Sequence, residues 1–215
     1  MGGTIRVFVK GGVSLHARST MHGLINKSLQ SFLRDTYGPP AWDAVAREAA
    51  LGFASFESML TYDDALTEQV ITAAVTVLKR KREALLEDLG TYIVSQNNPT
   101  SLRRLLRFSG VNFADFLNSL EELPERGRLV LSDLDLPDLE LVDHGTGLFT
   151  LRCVGPLQGV GHIVLGLLRA MADDYGALVI LDHLGASGGG EAISIQIADQ
   201  AFTPARPFSL GIAGH

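Results

Sequence analysis

Six histidines, one cysteine and two Asp-His neighbours are the groups in this 215-residue chain with chemistry to offer. Asp143-His144 and Asp182-His183 set a carboxylate next to an imidazole, the pairing that orients a general base. Adjacent residues of a strand point to opposite faces, so neither pair acts as a unit by itself. His162 falls in a helical stretch and His183 in a strand, and neither has Cys or His at ligand spacing, so no metal site is expected. The single cysteine, Cys153, excludes an intrachain disulfide and a multi-cysteine zinc site and agrees with a reducing compartment. There is no His-Glu-x-x-His helix, no Walker loop, and no Gly-x-Ser-x-Gly elbow leading from a strand into a helix. The expectation is a protein without catalysis of its own.

Bulk composition narrows the partners. With 46% hydrophobic and 20% charged residues the chain reads as one globular domain with short extensions. A formal charge of −6 argues against nucleic acid or an anionic membrane as the main partner. No apolar run approaches the roughly 18 residues of a membrane span. A cytoplasmic protein is expected.

The elements that must position these groups are a run of helices followed by a small sheet. Residues 1–20 read as an extension, with one strand-like run at 5–9 and no apolar region long enough for a secretory signal. Residues 21–38 carry Leu24, Ile25, Leu29, Phe32 and Leu33 on one helical stripe, closed by Gly38 and two prolines. Pro40 suits the first turn of a second helix, and Asp63 or Asp64 suits the cap of a third over 65–78. The four basic residues 79–82 read as a solvated helix end, not a nucleic-acid patch. A fourth helix is expected over 83–94 and a fifth over 101–108. In the sixth, Asn112 is the N-cap, Phe113, Phe116, Leu117, Leu120 and Leu123 make one apolar face, and Pro124 ends or kinks the helix.

Beyond Pro124 the period changes to that of strands, over 139–143 and 148–154, joined by a turn at 144–147. A helix over 160–175 and strands over 178–184 and 192–198 follow, the last two flanking the Gly-rich stretch 185–190. No helix follows that stretch, so it lacks the N–H array of a phosphate site. Helices followed by strand-strand-helix-strand-strand make an α+β fold. The core domain is expected over 21–199, with 200–215 a tail or the start of a connector to a further module.

Met21-x-Gly23-x-Ile25-Asn26, the closing Tyr37-Gly38-Pro39, the run Phe116-Leu117-x-x-Leu120-x-x-Leu123 and this order of elements resemble the haem nitric oxide/oxygen binding (H-NOX) family, which includes the sensor domain of soluble guanylate cyclase. The resemblance covers about 21–198. It implies a helical subdomain followed by an antiparallel sheet with a helix packed on it, haem b as cofactor, and a role in bacterial signalling. In that family a histidine directly after the FL-x-x-L-x-x-L run ligates the iron, and a Tyr-x-Ser-x-Arg clamp holds the propionates. Here Pro124 stands at the histidine's position, and Cys153, Gly155 and Leu157 stand at the clamp. Pro137 matches the proline that presses on the porphyrin. His22, second in the first helix, would approach the distal side and is the best alternative iron ligand; Cys153 is a weaker one.

The function expected is therefore a regulatory module that has lost standard haem ligation and binds a partner protein or a non-haem apolar ligand. Its partner would be a signalling protein or a fused output module. The competing expectation is a haem-based sensor of nitric oxide, oxygen or redox state with ligation through His22.

Overall fold

The computed structural model describes residues 20–95, 110–130 and 136–199. The strand-like run 5–9, the fifth helix at 101–108 and the tail 200–215 lie outside the described residues. Strand β1 (Thr20–His22) pairs antiparallel with β2 (Thr61–Asp63), and helix α1 (Gly23–Tyr37) begins immediately after it. Gly23 is needed there because its N–H donates to the Leu60 carbonyl at 2.7 Å, while an added Cβ would strike the Glu57 and Leu60 carbonyls. His22 is thus the last residue of a strand, opposite Thr61, and not the second residue of the helix as the sequence suggested.

Helix α1 buries Leu29, Phe32 and Leu33 together with two polar residues. Asn26 Oδ1 accepts from Thr67 Oγ1 at 2.8 Å, and Gln30 Oε1 accepts from the Phe56 N–H at 2.9 Å. These bonds satisfy the two amide oxygens and fix α1 against the next segments, while Asn26 Nδ2 and Gln30 Nε2 are buried without a hydrogen-bond partner. Gly38, at φ +86°, turns the chain into α2 (Pro39–Glu48). Helix α3 (Asp64–Leu78) is capped by Asp63, whose Oδ1 accepts from the Ala65 N–H at 2.9 Å, as its sequence implied. Helix α4 (Arg82–Val94) follows; Arg80 pairs with Asp88 at 2.7 Å and Arg82 with Glu68 at 2.9 Å.

Around Pro124 the helical path is interrupted and resumes, the kink and not the stop of the two outcomes expected there. Helix α5 (Phe113–Asn118) is capped by Asn112, gives way to a 3₁₀ turn (Leu120–Glu122), and a new helix α6 (Leu123–Val130) starts. Pro124 has no N–H for the Leu120 carbonyl and its ring crowds that carbonyl, so the turn tightens ahead of it. In the first turn of α6 the missing N–H costs nothing. Asn118 and Ser119 side chains also bond the Ala114 and Phe116 carbonyls at 3.0 and 2.7 Å, competing with helix continuation at the same place.

The sheet is antiparallel throughout in the order β3-β4-β6-β5, from β3 (Asp138–Asp143), β4 (Leu148–Val154), β5 (Leu178–Ser187) and β6 (Gly190–Asp199). The last two strands run further than expected, because only Gly188 and Gly189, at φ +59° and +81°, form the turn. Two consecutive positive φ angles give the twist a tight hairpin needs. Gly185-Ala186-Ser187-Gly188-Gly189 spells the Gly-x-Ser-x-Gly spacing, yet it lies in this hairpin and not in a strand-to-helix turn.

Helix α7 (Val160–Tyr175) lies between the sheet and α4. It buries Val164, Leu165, Leu168 and Met171 in a core shared with Leu151, Ile193 and Ile195 of the sheet. Against α4 the approach is so close that a Cβ on Gly166 would strike the Glu87 carbonyl and one on Gly90 the Ile163 carbonyl. Two facing glycines set this crossing.

Candidate functional site

A cavity of about 140 Å³ opens where α1, α3, α4, α7, the 3₁₀ turn and β3 converge. Leu24 and Leu29, Ile71, Leu89, Leu123 and Ile163 supply walls from five helices. Ser28 and Thr67 are the only polar side chains in the wall among the described residues, and the Thr67 hydroxyl is spent on Asn26. No His, Cys, Tyr, Lys or carboxylate lines it among the described residues.

Two of the residues picked from the sequence, Pro137 and Leu157, line this cavity. Pro124 is buried in the first turn of α6, one residue beyond the lining Leu123, but is not itself part of the wall. Gly155 packs on Pro137, where an added Cβ would come within 3.3 Å of the proline's own. Cys153 faces the core from β4 with no exposed surface. Its thiol is pushed up to about 12, first by burial and second by the nearby Glu191 carboxylate. An open depression on the other side of Leu157 is bordered by Cys153, Gly155 and the hairpin 186–191. The His22 side chain lies outside the described residues.

A polar cluster adjoins this depression, and sequence spacing did not reveal it. Register pairs Glu191 of β6 with Cys153 of β4, so the carboxylate faces the core side of the sheet. There it accepts from the Gly159 N–H at 2.8 Å through Oε1 and meets His183 Nε2 at 2.8 Å through Oε2. The Gly185 N–H donates to His183 Nδ1 at 3.2 Å, which makes Nε2 the protonated nitrogen and Glu191 its acceptor. His162 stacks on His183 with ring centroids 4.0 Å apart and planes 14° from parallel. Its Nδ1 lies 3.2 Å from Glu87 Oε1, and Arg169 holds the other oxygen of Glu87 at 3.0 Å. Gly161 leaves room for the cluster, since a Cβ there would come within 2.7 Å of His183 Nε2 and 2.8 Å of Glu191 Oε2.

The signal that would have found it was strand parity. Ile193, Ile195 and Ile197 are buried on β6, so Glu191 shares their face, and on β5 the half-buried alternation Val179, Leu181, His183 turns His183 the same way. The expectation of no metal site at His162 or His183 rested on spacing along the chain; a helix and two strands bring them and Glu191 within 4.8 Å.

Comparison with known proteins converges on one family. The family described as Haem-NO-binding matches residues 22–183. The chain is 23% identical to soluble guanylate cyclase gcy-31 of Caenorhabditis elegans over 72% of its own length and 22% of that protein. It is 20% identical to soluble guanylate cyclase 89Da of Drosophila melanogaster over 85% of its length and 28% of that protein. It therefore spans less than a third of these relatives. Among solved structures, an H-NOX protein from S. oneidensis superposes with a TM-score of 0.71 at 14% identity, covering 83% of this chain and all of that one. One from K. algicida gives 0.69 at 17% identity, over 85% of this chain and 100% of that one. These likenesses carry the α+β fold, with its antiparallel sheet and packed helix, and the family match carries the rest: this chain belongs to the Haem-NO-binding, or H-NOX, family of sensor domains.

Proposed function

We propose that this sensor domain takes an uncharged apolar ligand in its cavity in place of a ligated haem, and passes its occupancy to a signalling partner or a fused output module. The observation that carries the reading is the wall itself, which offers no metal-ligating side chain among the described residues. A haem does not fit the residues present. Pro124 has no lone pair to give an iron, and Cys153, Gly155 and Leu157 provide no cation for a propionate. Glu191 adds a negative charge at the same edge and already takes the Gly159 N–H that an anion would use. Size points the same way: a dry apolar cavity of about 150 Å³ holds benzene, and a porphyrin is far larger. A ligand on the scale of a single ring, without charge, meets both the volume and the wall.

Partner contact has its own support. Leu178, Ile180 and Leu184 project from the outer side of β5, an edge strand, at 67%, 53% and 60% exposure. An apolar row on a strand that has no further strand beside it among the described residues is where another protein adds or docks.

The test is displacement of an apolar fluorescent probe by benzene and by benzoate. Benzene should compete and benzoate should not, and Ile163→Phe, which fills the cavity, should abolish probe binding while the fold persists by circular dichroism. Probe binding unaffected by Ile163→Phe, or equal competition by the carboxylate, contradicts the reading.

A further inference from the structure

The cluster of His162, His183 and Glu191 lies outside the cavity, and its two imidazoles have no role in the reading above. We propose that it is a binding site for a borderline divalent transition-metal ion such as zinc(II), held by two imidazoles and one carboxylate. Their ligand atoms lie within 4.8 Å of one another, at side-chain exposures of 17%, 16% and 13%. The donor set selects the ion: two nitrogens and one oxygen suit zinc, cobalt or nickel, whereas calcium and magnesium require oxygen ligands in larger number.

Two of the three donors, His162 and Glu191, are backed by a further group, as metal ligands generally are. His162 points Nδ1 at Glu87, itself fixed by Arg169, and so presents Nε2 as the lone-pair side. Glu191 is anchored by the Gly159 N–H through one oxygen and leaves the other for the ion. His183 Nε2 and Glu191 Oε2, 2.8 Å apart, share a proton where a cation would sit between them. Binding asks for two local changes. The His183 proton moves from Nε2 to Nδ1, giving up the 3.2 Å bond from the Gly185 N–H. The two rings, 14° from parallel, carry lone pairs that do not converge, so His162 turns out of the stack to bring Nε2 to the ion. Three protein ligands leave a fourth position for water. The open depression bordered by Glu191 gives the ion its way in.

The ligands come from α7, β5 and β6, so the ion would tie the N-terminal end of α7 to the sheet. Val160, Ile163 and Val164 of the same helix line the apolar cavity, which places metal occupancy and cavity shape on one element.

The experiment is titration of the chelator-treated, tag-free chain with zinc(II) and cobalt(II), read by calorimetry and by cobalt d–d absorption. One ion per chain is expected, with a rise in Tm and with cobalt bands typical of nitrogen and oxygen ligands. His162→Ala and His183→Ala should each lower the affinity about tenfold or more, and Glu87→Gln, which removes the charge that orients His162 and pairs with Arg169, about tenfold. His162→Ala leaves the His183–Glu191 pair in place, so it carries the test if His183→Ala does not fold. Absence of saturable binding, or binding that His162→Ala leaves unchanged, overturns the site.

Discussion

At the scale of single residues, Pro124 and Glu191 act on the two ends of one question. A histidine at position 124 would restore an imidazole, but its backbone sits one residue past the cavity wall and the clamp edge still presents Leu157 beside Glu191. Leaving a propionate there without a cation costs roughly several kcal/mol unless it reaches water. Pro124→His alone is therefore expected to give weak, spectrally heterogeneous haem binding, and Pro124→His with Leu157→Arg a tighter complex. Cys153 and Gly155 stay unchanged because one is fully buried and the other packs on Pro137. Haem titration of both variants decides, and equal affinities would mean that the clamp edge is not limiting. Cys153 gives a second expectation. With its thiol held at about 12, the thiolate fraction at pH 8 is about one in ten thousand. Alkylation of the native protein should be slow and should accelerate by orders of magnitude in denaturant; fast native labelling would show that β4 is open at that point.

At the scale of elements, α4 and α7 approach so closely that glycine is required on both, at Gly90 and Gly166. Gly166→Ala forces the helices apart at a carbonyl and should destabilise the domain by about 1–3 kcal/mol in urea unfolding, whereas Gly52→Ala, with nothing near it, should stay within about 0.5 kcal/mol. Equal effects would mean that the helices are not in contact as described. How much of this was legible depends on the range of the signal. The helical stripe of α1, the Asp63 and Asn112 caps and the 144–147 turn are local patterns and stand where the sequence put them. Pro124 was legible as a break in direction but not as the start of a helix, because the same missing N–H suits either role. The strands β5 and β6 were cut short because glycines were read as loop, when two of them suffice for the turn.

At the scale of the whole molecule, the order of elements and the family match give the fold, while the cavity and the histidine cluster depend on contacts between residues far apart in sequence. His162, His183 and Glu191 lie on three elements, and only strand parity hinted that two of them share a face. The cavity wall is drawn from across the helical half and the sheet, so its lack of ligating groups among the described residues was legible only at the positions the family motif names. Phe113, Phe116, Leu117, Leu120 and Leu151 are all buried. No helix among the described residues is long and apolar enough to cross a membrane. The central claim is that the family's cavity persists without its iron ligand, and one absorption spectrum addresses it. Protein produced with ample haem and then reduced should show no stoichiometric five-coordinate, histidine-ligated ferrous spectrum. A one-to-one complex with that spectrum, unchanged in His22→Ala, would contradict the account.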